Sequence, residues 1–224
     1  MARLTTRGQR RRAVRYFIDE DDRRHVRERL IFFSDAVVAI AMTLLGIDLS
    51  LPHGETNAEV WHSFVDLLPK EYLVFLIGFA VIALFWMNHH QLFRRIHVVD
   101  PTLRRLNMLW LFLIAVAPFA TRLDSVDGGF VLGPVFYAVV IAALALVLTA
   151  MSGHASRHGL VRPGTPDRVM RSFVVGGYTA AGVFLISIPV SFVSTSWGRY
   201  VWLLMVVASY VTDRFTERRA HPAG

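Results

Sequence analysis

The stretch RLIFFSDAVVAIAMTLLGIDLSLP, residues 29–52, joins an apolar run of membrane-spanning length to charged groups near its start. A helix needs roughly 20 predominantly apolar residues to cross the ~30 Å hydrocarbon core of a bilayer. Arg29 and Asp35 lie where such a helix would enter the membrane, and ionisable groups there are costly and commonly functional. The stretch therefore predicts a transmembrane helix that carries a functional polar motif.

The rest of the chain repeats this apolar pattern. Hydrophobic residues make up 54% of 224, and the mean hydropathy is +0.45. Runs of spanning length recur along the chain, at about residues 30–51, 70–92, 104–123, 130–151, 169–194 and 197–213. The predicted fold class is an all-α polytopic membrane protein with six transmembrane helices per subunit.

Basic residues are distributed unequally between the two sides of the predicted bundle. They are concentrated in the N-terminal tail, in the connections after the second and fourth spans, and in the C-terminal tail. The other side has only Lys70, Arg122 and Arg199. Because Lys and Arg accumulate on the cytoplasmic side of membrane proteins, both termini are predicted to be cytoplasmic.

This topology divides the chain into three parts. Residues 1–28 form a basic cytoplasmic tail, expected to be solvated, partly disordered and close to anionic headgroups. Residues 29–214 form the transmembrane domain, and residues 215–224 form a C-terminal tail. Residues 58–68 are too short to span and alternate apolar with polar, which predicts an interfacial helix ending at Pro69.

Polar residues cluster where the second span ends. Trp86, Asn88, His89 and His90 lie close together in the sequence. We expect a buried network in which one histidine, together with Asn88 or Trp86, satisfies the charges of the first helix. Asn107, near the start of the third span, is a further candidate member of this network.

A metal site is a poor alternative for this cluster. Adjacent histidines point about 100° apart on a helix, and metal sites need three or four ligands at suitable spacing. No metal or other cofactor is therefore predicted, and a membrane enzyme or metal-binding protein built on the two histidines is the weakest alternative.

One face of the first helix repeats apolar residues. Ile40, Leu44 and Ile47 share that face and Thr43 adjoins it, whereas Phe33 and Val37 extend it toward the cytoplasm. On periodicity alone, ordinary helix packing is the favoured explanation of this pattern.

Several function classes lack their sequence signatures. The chain has no cysteine, which excludes disulfides and thiolate chemistry. It has no phosphate-binding loop, dinucleotide fingerprint or nucleophile elbow, so no catalytic residue is predicted and no enzyme activity is expected. The basic tail is not accompanied by a recognition fold, and nucleic acid is not an expected partner.

The RxxxFSD motif (Arg29, Phe33, Ser34, Asp35), the Trp86-x-x-His89-His90 stretch and Asn107 together make the chain resemble prokaryotic members of the TMEM175 potassium channel family. The resemblance implies a homotetramer whose first helices line a central pore for potassium and other monovalent cations, with ions in the pore and no cofactor.

The resemblance also implies residue roles. Ile40, Leu44 and Ile47 would line the pore and form its gate, and Thr43 would set its selectivity. A second set would form a structural polar network that holds the first helix, comprising Arg29, Phe33, Ser34, Asp35, Trp86, His89 and Asn107. The expected function is a potassium-permeable leak channel.

A secondary transporter remains the main alternative. It would use Asp35, His89 and Arg29 as a proton relay, because buried ionisable groups often mark ion paths. Such transporters commonly have inverted repeats and broken helices, and neither is evident in this sequence.

Overall fold

A computed structural model describes residues 3–47, 49–125 and 130–193, and within these ranges the protein is helical. In chain order the helices are α1 (Arg3–Ile47), α2 (Asn57–Leu67), α3 (Leu73–Arg95), α4 (Pro101–Ser125), α5 (Leu132–Arg157) and α6 (Asp167–Val193). A π-helical turn, Leu68–Tyr72, joins α2 to α3. The only extended pairing in these ranges is an isolated bridge between Ile96 and Val161.

Five of the described helices are long and apolar enough to cross a membrane. They correspond to the first five predicted spans, and the differences are confined to the helix ends. The chain is therefore an all-α, multi-pass membrane protein. The sixth predicted span, residues 197–213, lies outside the described residues.

The first helix differs most from its prediction. α1 is a 45-residue helix that begins at Arg3, not near residue 30. The expectation of a partly disordered tail over residues 1–28 is wrong from Arg3 onward, since the chain there is helical. Sequence reasoning missed this segment because its arginines and acidic residues carry no apolar periodicity, and helix propensity in Arg and Glu is high without it.

The short interfacial helix is present as α2, one residue earlier than predicted. Its N-terminus is capped by Thr56, whose hydroxyl accepts a hydrogen bond from the Glu59 amide. Pro69 does not end the helical path, because a proline near the start of the π-helical turn lacks only an amide that is not needed there. α2 consequently leads into α3 without an intervening loop.

The other end of the bundle is held by contacts between loops. Asp100 caps α4 by accepting a 2.7 Å hydrogen bond from the Leu103 amide, as the Asp-Pro-Thr sequence predicts. Its second oxygen lies 2.8 Å from Nε2 of His154 on α5. Burial raises the pKa of Asp100, but these two hydrogen bonds outweigh it and lower the pKa below its ordinary value. Backbone hydrogen bonds from His97 to Leu160 and from Arg162 to Arg95 tie the two loops together.

The apolar core is centred on α5, which packs against both α4 and α6. Ile141, Leu144 and Met151 of α5 are fully buried, as is Phe184 of α6. α1 packs on the other side, against α3 and α4. This arrangement leaves α1 at the edge of the described bundle, where only part of its circumference is covered.

Candidate pore-facing helix and its polar contacts

One face of α1 is uncovered in the single chain. Ile40, Leu44 and Ile47 are 59%, 42% and 73% exposed, and Thr43 between them is also exposed. The Thr43 hydroxyl donates a 2.8 Å hydrogen bond to the Ile40 carbonyl oxygen. The predicted apolar face is therefore a single exposed stripe, interrupted by one hydroxyl.

The opposite face of α1 is packed into the bundle. Buried residues recur every three or four positions along this face and are at most 9% exposed: Leu30, Ser34, Val38, Ala41 and Leu45. Small and branched side chains at this face allow α1 to approach its neighbours closely, as membrane helices commonly do. The rotation of α1 is thus fixed by packing on one side, and this rotation directs the exposed stripe away from the bundle.

A chain of hydrogen bonds joins α1, α3 and α4 within this packed region. His89 Nε2 lies 2.7 Å from Asn107 Oδ1, and Asn107 Nδ2 donates to Ser34 Oγ at 3.0 Å. The Ser34 hydroxyl in turn donates to the Leu30 carbonyl oxygen at 2.8 Å. All three side chains are buried, so each satisfies a polar group that would otherwise be costly inside the protein.

The ring of His89 packs against two aromatic rings. It stacks on Trp110 with centroids 4.3 Å apart and lies tilted against the ring of Phe93 at 4.5 Å. Hydrogen bonding at one edge and contact with two rings leave this imidazole little freedom to reorient. The arrangement is that of a packed structural histidine.

Asp35 has a different partner. The indole Nε1–H of Trp86 donates a 2.8 Å hydrogen bond to Asp35 Oδ1, which joins α3 to α1 one residue beyond Ser34. The Trp86 ring also packs against the half-buried ring of His90, with centroids 5.7 Å apart. The structure thus brings together five of the predicted residues: Ser34, Asp35, Trp86, His89 and Asn107.

Two predicted network members are not part of it within one chain. Arg29 and Phe33 are exposed and lie on the same side of α1 as Ile40. Among the described residues no hydrogen bond joins Asp35 to a histidine, so the expected histidine partner for Asp35 is replaced by Trp86. Asn88 is exposed and donates only to the Leu84 carbonyl of its own helix.

Sequence reasoning overlooked Arg27. This arginine is 9% exposed, and its Nη1 lies 3.5 Å and 3.3 Å from the carbonyl oxygens of Ile96 and His97. It precedes Leu30 by three residues and Ser34 by seven, so it lies on the packed face of α1. Extending that periodicity toward the N-terminus would have distinguished Arg27 from the other arginines.

A second overlooked group lies at the other end of α1. The Ser50 amide and hydroxyl donate to the two carboxylate oxygens of Glu71 at 2.9 Å and 3.0 Å. The Tyr72 hydroxyl donates to the Ser50 carbonyl oxygen at 2.8 Å. No sequence motif marks this contact, since it depends on how the π-helical turn meets the end of α1.

These side chains suit positioning of helices better than binding of a metal. Within the described ranges no three His, Asp or Glu side chains converge as metal ligands would. What the site does provide is a helix with a polar, hydrogen-bonded side and an uncovered apolar side. Both sides belong to a span that could face an aqueous path or a second subunit.

Comparison with known proteins places this geometry in context. The sequence model of a family described as "Endosomal/lysosomal potassium channel TMEM175" matches residues 29–118. A potassium channel of Streptomyces collinus is 34% identical over 135 residues, which make up 58% of this chain and 65% of that relative. A potassium channel of Chamaesiphon minutus is 30% identical over 196 residues, which make up 85% of this chain and 93% of that relative.

A solved structure agrees with both sequence comparisons. The crystal structure of a lysosomal potassium-selective channel TMEM175 homolog from Chamaesiphon minutus matches with a TM-score of 0.68 at 27% identity, covering 85% of this chain and 98% of that chain. Fold and site define a multi-pass helical membrane protein whose first helix is held by polar contacts on one side and uncovered on the other. The chain belongs to the TMEM175 family.

Proposed function

We propose that this chain is the subunit of a potassium-permeable, weakly selective cation leak channel. The observation that carries the proposal is the exposed stripe of α1, in which Ile40, Leu44 and Ile47 surround the hydroxyl of Thr43. The relatives named potassium channels support the ion assignment. We further propose a prokaryotic plasma membrane location with both termini in the cytoplasm.

The stripe requires more than one copy of the chain to function. A single helix cannot enclose a path for ions, whereas several copies of α1 around an axis can. A homotetramer with four copies of α1 around the pore is the assembly proposed. In that assembly the uncovered face is turned toward the axis, and the packed face remains against α3 and α4.

Each residue of the stripe then has a distinct role. Rings of Ile40, Leu44 and Ile47 form a narrow apolar segment that resists wetting and so limits conduction. The Thr43 hydroxyl uses its proton in the bond to Ile40, which leaves its oxygen lone pairs available to a partly dehydrated cation. Ile40 is the proposed narrowest ring, and Thr43 the proposed selectivity residue.

The polar residues behind the stripe are proposed to be structural. The Trp86 indole donates a hydrogen bond to one carboxylate oxygen of Asp35, and His89 is hydrogen-bonded to Asn107. A proton relay through Asp35, His89 and Arg29 would need these groups to exchange protons, and the observed hydrogen bonds do not connect them. This pairing favours a channel over a proton-coupled transporter.

Ion flux in liposomes tests the proposal. Purified protein is expected to pass potassium down its gradient faster than sodium without a pH gradient, with valinomycin as the positive control. Ile40→Asn is expected to increase the basal flux, because an amide in the narrowest ring lowers the cost of wetting. Ile186→Asn on α6 is the matched control, since Ile186 is similarly exposed at 64%.

Two results would contradict this function. Equal effects of Ile40→Asn and Ile186→Asn would show that the α1 stripe is not the barrier. Uptake that requires a pH gradient, with no passive flux, would favour the transporter.

A further inference from the structure

The segment that follows α1 is held mainly through one of its own residues, Ser50, which is hydrogen-bonded to the start of α3. Ser50 lies three positions after Ile47, the last residue of α1, and all three of its polar groups are bonded. Its amide and hydroxyl donate to Glu71, and its carbonyl accepts from Tyr72. We call this group of Ser50, Glu71 and Tyr72 the Ser50 latch.

Other restraints on the segment are weak: the Leu49 amide lies 3.5 Å from the Gly46 carbonyl oxygen. Ser50 is exposed, and the Leu51 side chain is 84% exposed. Ser50 and Glu71 also border a cavity of about 450 Å³, so open space rather than packed side chains lies beside them. The position of this segment in one chain therefore depends on the latch more than on apolar burial.

The latch is itself attached to the start of α3 and to α2. Glu71 and Tyr72 belong to the π-helical turn that leads into α3, and the Tyr72 ring packs against Phe64 of α2 at 5.4 Å. On α3 the ring of Phe75 approaches Gly46 of α1, where an added Cβ would lie 3.5 Å away. The end of α1 is thus held from α3 by a ring contact and by the latch.

We propose that Glu71 and Tyr72 are positioning residues that fix the end of α1 and thereby the width of the pore at Ile47. This inference rests on the proposed function, because it takes the space beside Ile47 to be an ion pore. Three residues of extended chain span at most about 10 Å, so Ser50 cannot shift far without moving Ile47. Release of the latch allows the Ile47 ring to widen or become irregular, whereas Ile40, deeper in α1, remains in place.

The absence of cysteine in the sequence makes a direct test simple. Ile47→Cys carrying a nitroxide label reports the mobility of the end of α1, and Ala36→Cys reports a position about three turns earlier in the same helix. Tyr72→Phe removes one hydrogen bond and is expected to raise the mobile fraction at position 47 about fivefold. Glu71→Ala removes two bonds and should raise it further, with no change at position 36.

Conservative and distant variants separate positioning from general loosening. Glu71→Gln retains an acceptor and a donor for Ser50, so it is expected to keep the spectrum of the parent protein. Ser63→Ala removes the nearby contact between His53 and Ser63 but not the latch, and it should leave position 47 unchanged. Thermal unfolding of each variant checks that the bundle is intact.

The outcomes distinguish the latch from the proposed function. Unchanged mobility at position 47 in Tyr72→Phe and Glu71→Ala would overturn the latch, and so would equal increases at positions 36 and 47. Absence of ion flux in the parent protein would overturn the channel but not the spectroscopic result. If both hold, single-channel conductance should change in Glu71→Ala and return to the parent value in Glu71→Gln.

Discussion

Thr43 is the polar side chain in the middle of the exposed apolar stripe of α1. Its hydroxyl donates a hydrogen bond to the Ile40 carbonyl oxygen of its own helix, and the hydroxyl oxygen therefore keeps its lone pairs as acceptors. A hydroxyl in such a setting can replace part of the hydration shell of an ion. The proposed contribution of Thr43 to selectivity is therefore one hydroxyl oxygen per subunit.

Thr43→Ala is expected to reduce the preference for potassium over sodium. The substitution removes one neutral oxygen from each of the four proposed subunits, and a total effect of ~1 kcal/mol on ion choice would change the ratio about fivefold. Reversal potentials under bi-ionic conditions measure this ratio. Thr179→Ala is the control, because Thr179 is an exposed threonine on α6 whose hydroxyl donates to the Val175 carbonyl of its own helix. An unchanged ratio in Thr43→Ala would remove Thr43 from the selectivity assignment.

The sequence predicted which residues belong to the polar network better than it predicted which of them are hydrogen-bonded to each other. The membership of Ser34, Asp35, Trp86, His89 and Asn107 was predictable, because polar groups within transmembrane segments must find partners. Their pairing was not, since Trp86 and Asp35 are 51 positions apart and Ser34 and Asn107 are 73 apart. Which donor meets which acceptor depends on helix rotations that no local pattern records.

At the scale of the helices, the hydrogen-bond chain through Asn107 joins three elements with one side chain. Asn107 on α4 accepts from His89 on α3 and donates to Ser34 on α1. Removing a buried polar partner leaves the remaining groups unsatisfied at a cost of about 1–3 kcal/mol. Asn107 is therefore expected to matter for the stability of the α1–α3–α4 contact rather than for ion choice.

Asn107→Ala is expected to lower the free energy of unfolding by about 1–3 kcal/mol and to leave the potassium-to-sodium ratio unchanged. Asn88→Ala is a matched control, because this exposed asparagine bonds only within its own helix; its effect should stay within about 0.5 kcal/mol. Unfolding in mixed micelles measures both. Equal losses in the two variants would argue against a structural network at Asn107.

The helix boundaries show the same division between local and tertiary information. Asp100 and Pro101 marked the start of α4 because a side-chain acceptor followed by proline is a local signal. The continuation of α1 through residues 3–28 had no such signal, and neither did the π-helical turn after α2. Both depend on backbone geometry that apolar periodicity does not report.

For the whole molecule, the shape of the described bundle leaves α1 at its edge. Its packed face is occupied by α3 and α4, and its other face carries large apolar side chains that stay exposed among the described residues. A contiguous apolar face on a membrane protein can meet lipid, another subunit or a pore. In the proposed assembly around an axis, all copies of the stripe would meet at one pore.

Native mass spectrometry of protein released from nanodiscs is expected to give four copies of the 25.3 kDa chain. Four equivalent α1 helices can surround an axis, whereas two cannot enclose a path. Ile40→Asn is expected to retain this stoichiometry, because in the proposed assembly the stripe faces the axis rather than the contacts between neighbouring subunits. A monomer or a dimer in the parent protein would contradict the proposed assembly.

The continuity of α1 has a mechanical consequence. The same unbroken helix contains the basic N-terminal segment and the exposed stripe at Ile40, and residues 3–29 alone extend about 40 Å at the rise of an α-helix. Arg27, against the carbonyls of Ile96 and His97, lies between the two parts. Because the helix is unbroken and is held near Arg27, a sideways force on its basic segment would act as a torque on the end that carries the stripe.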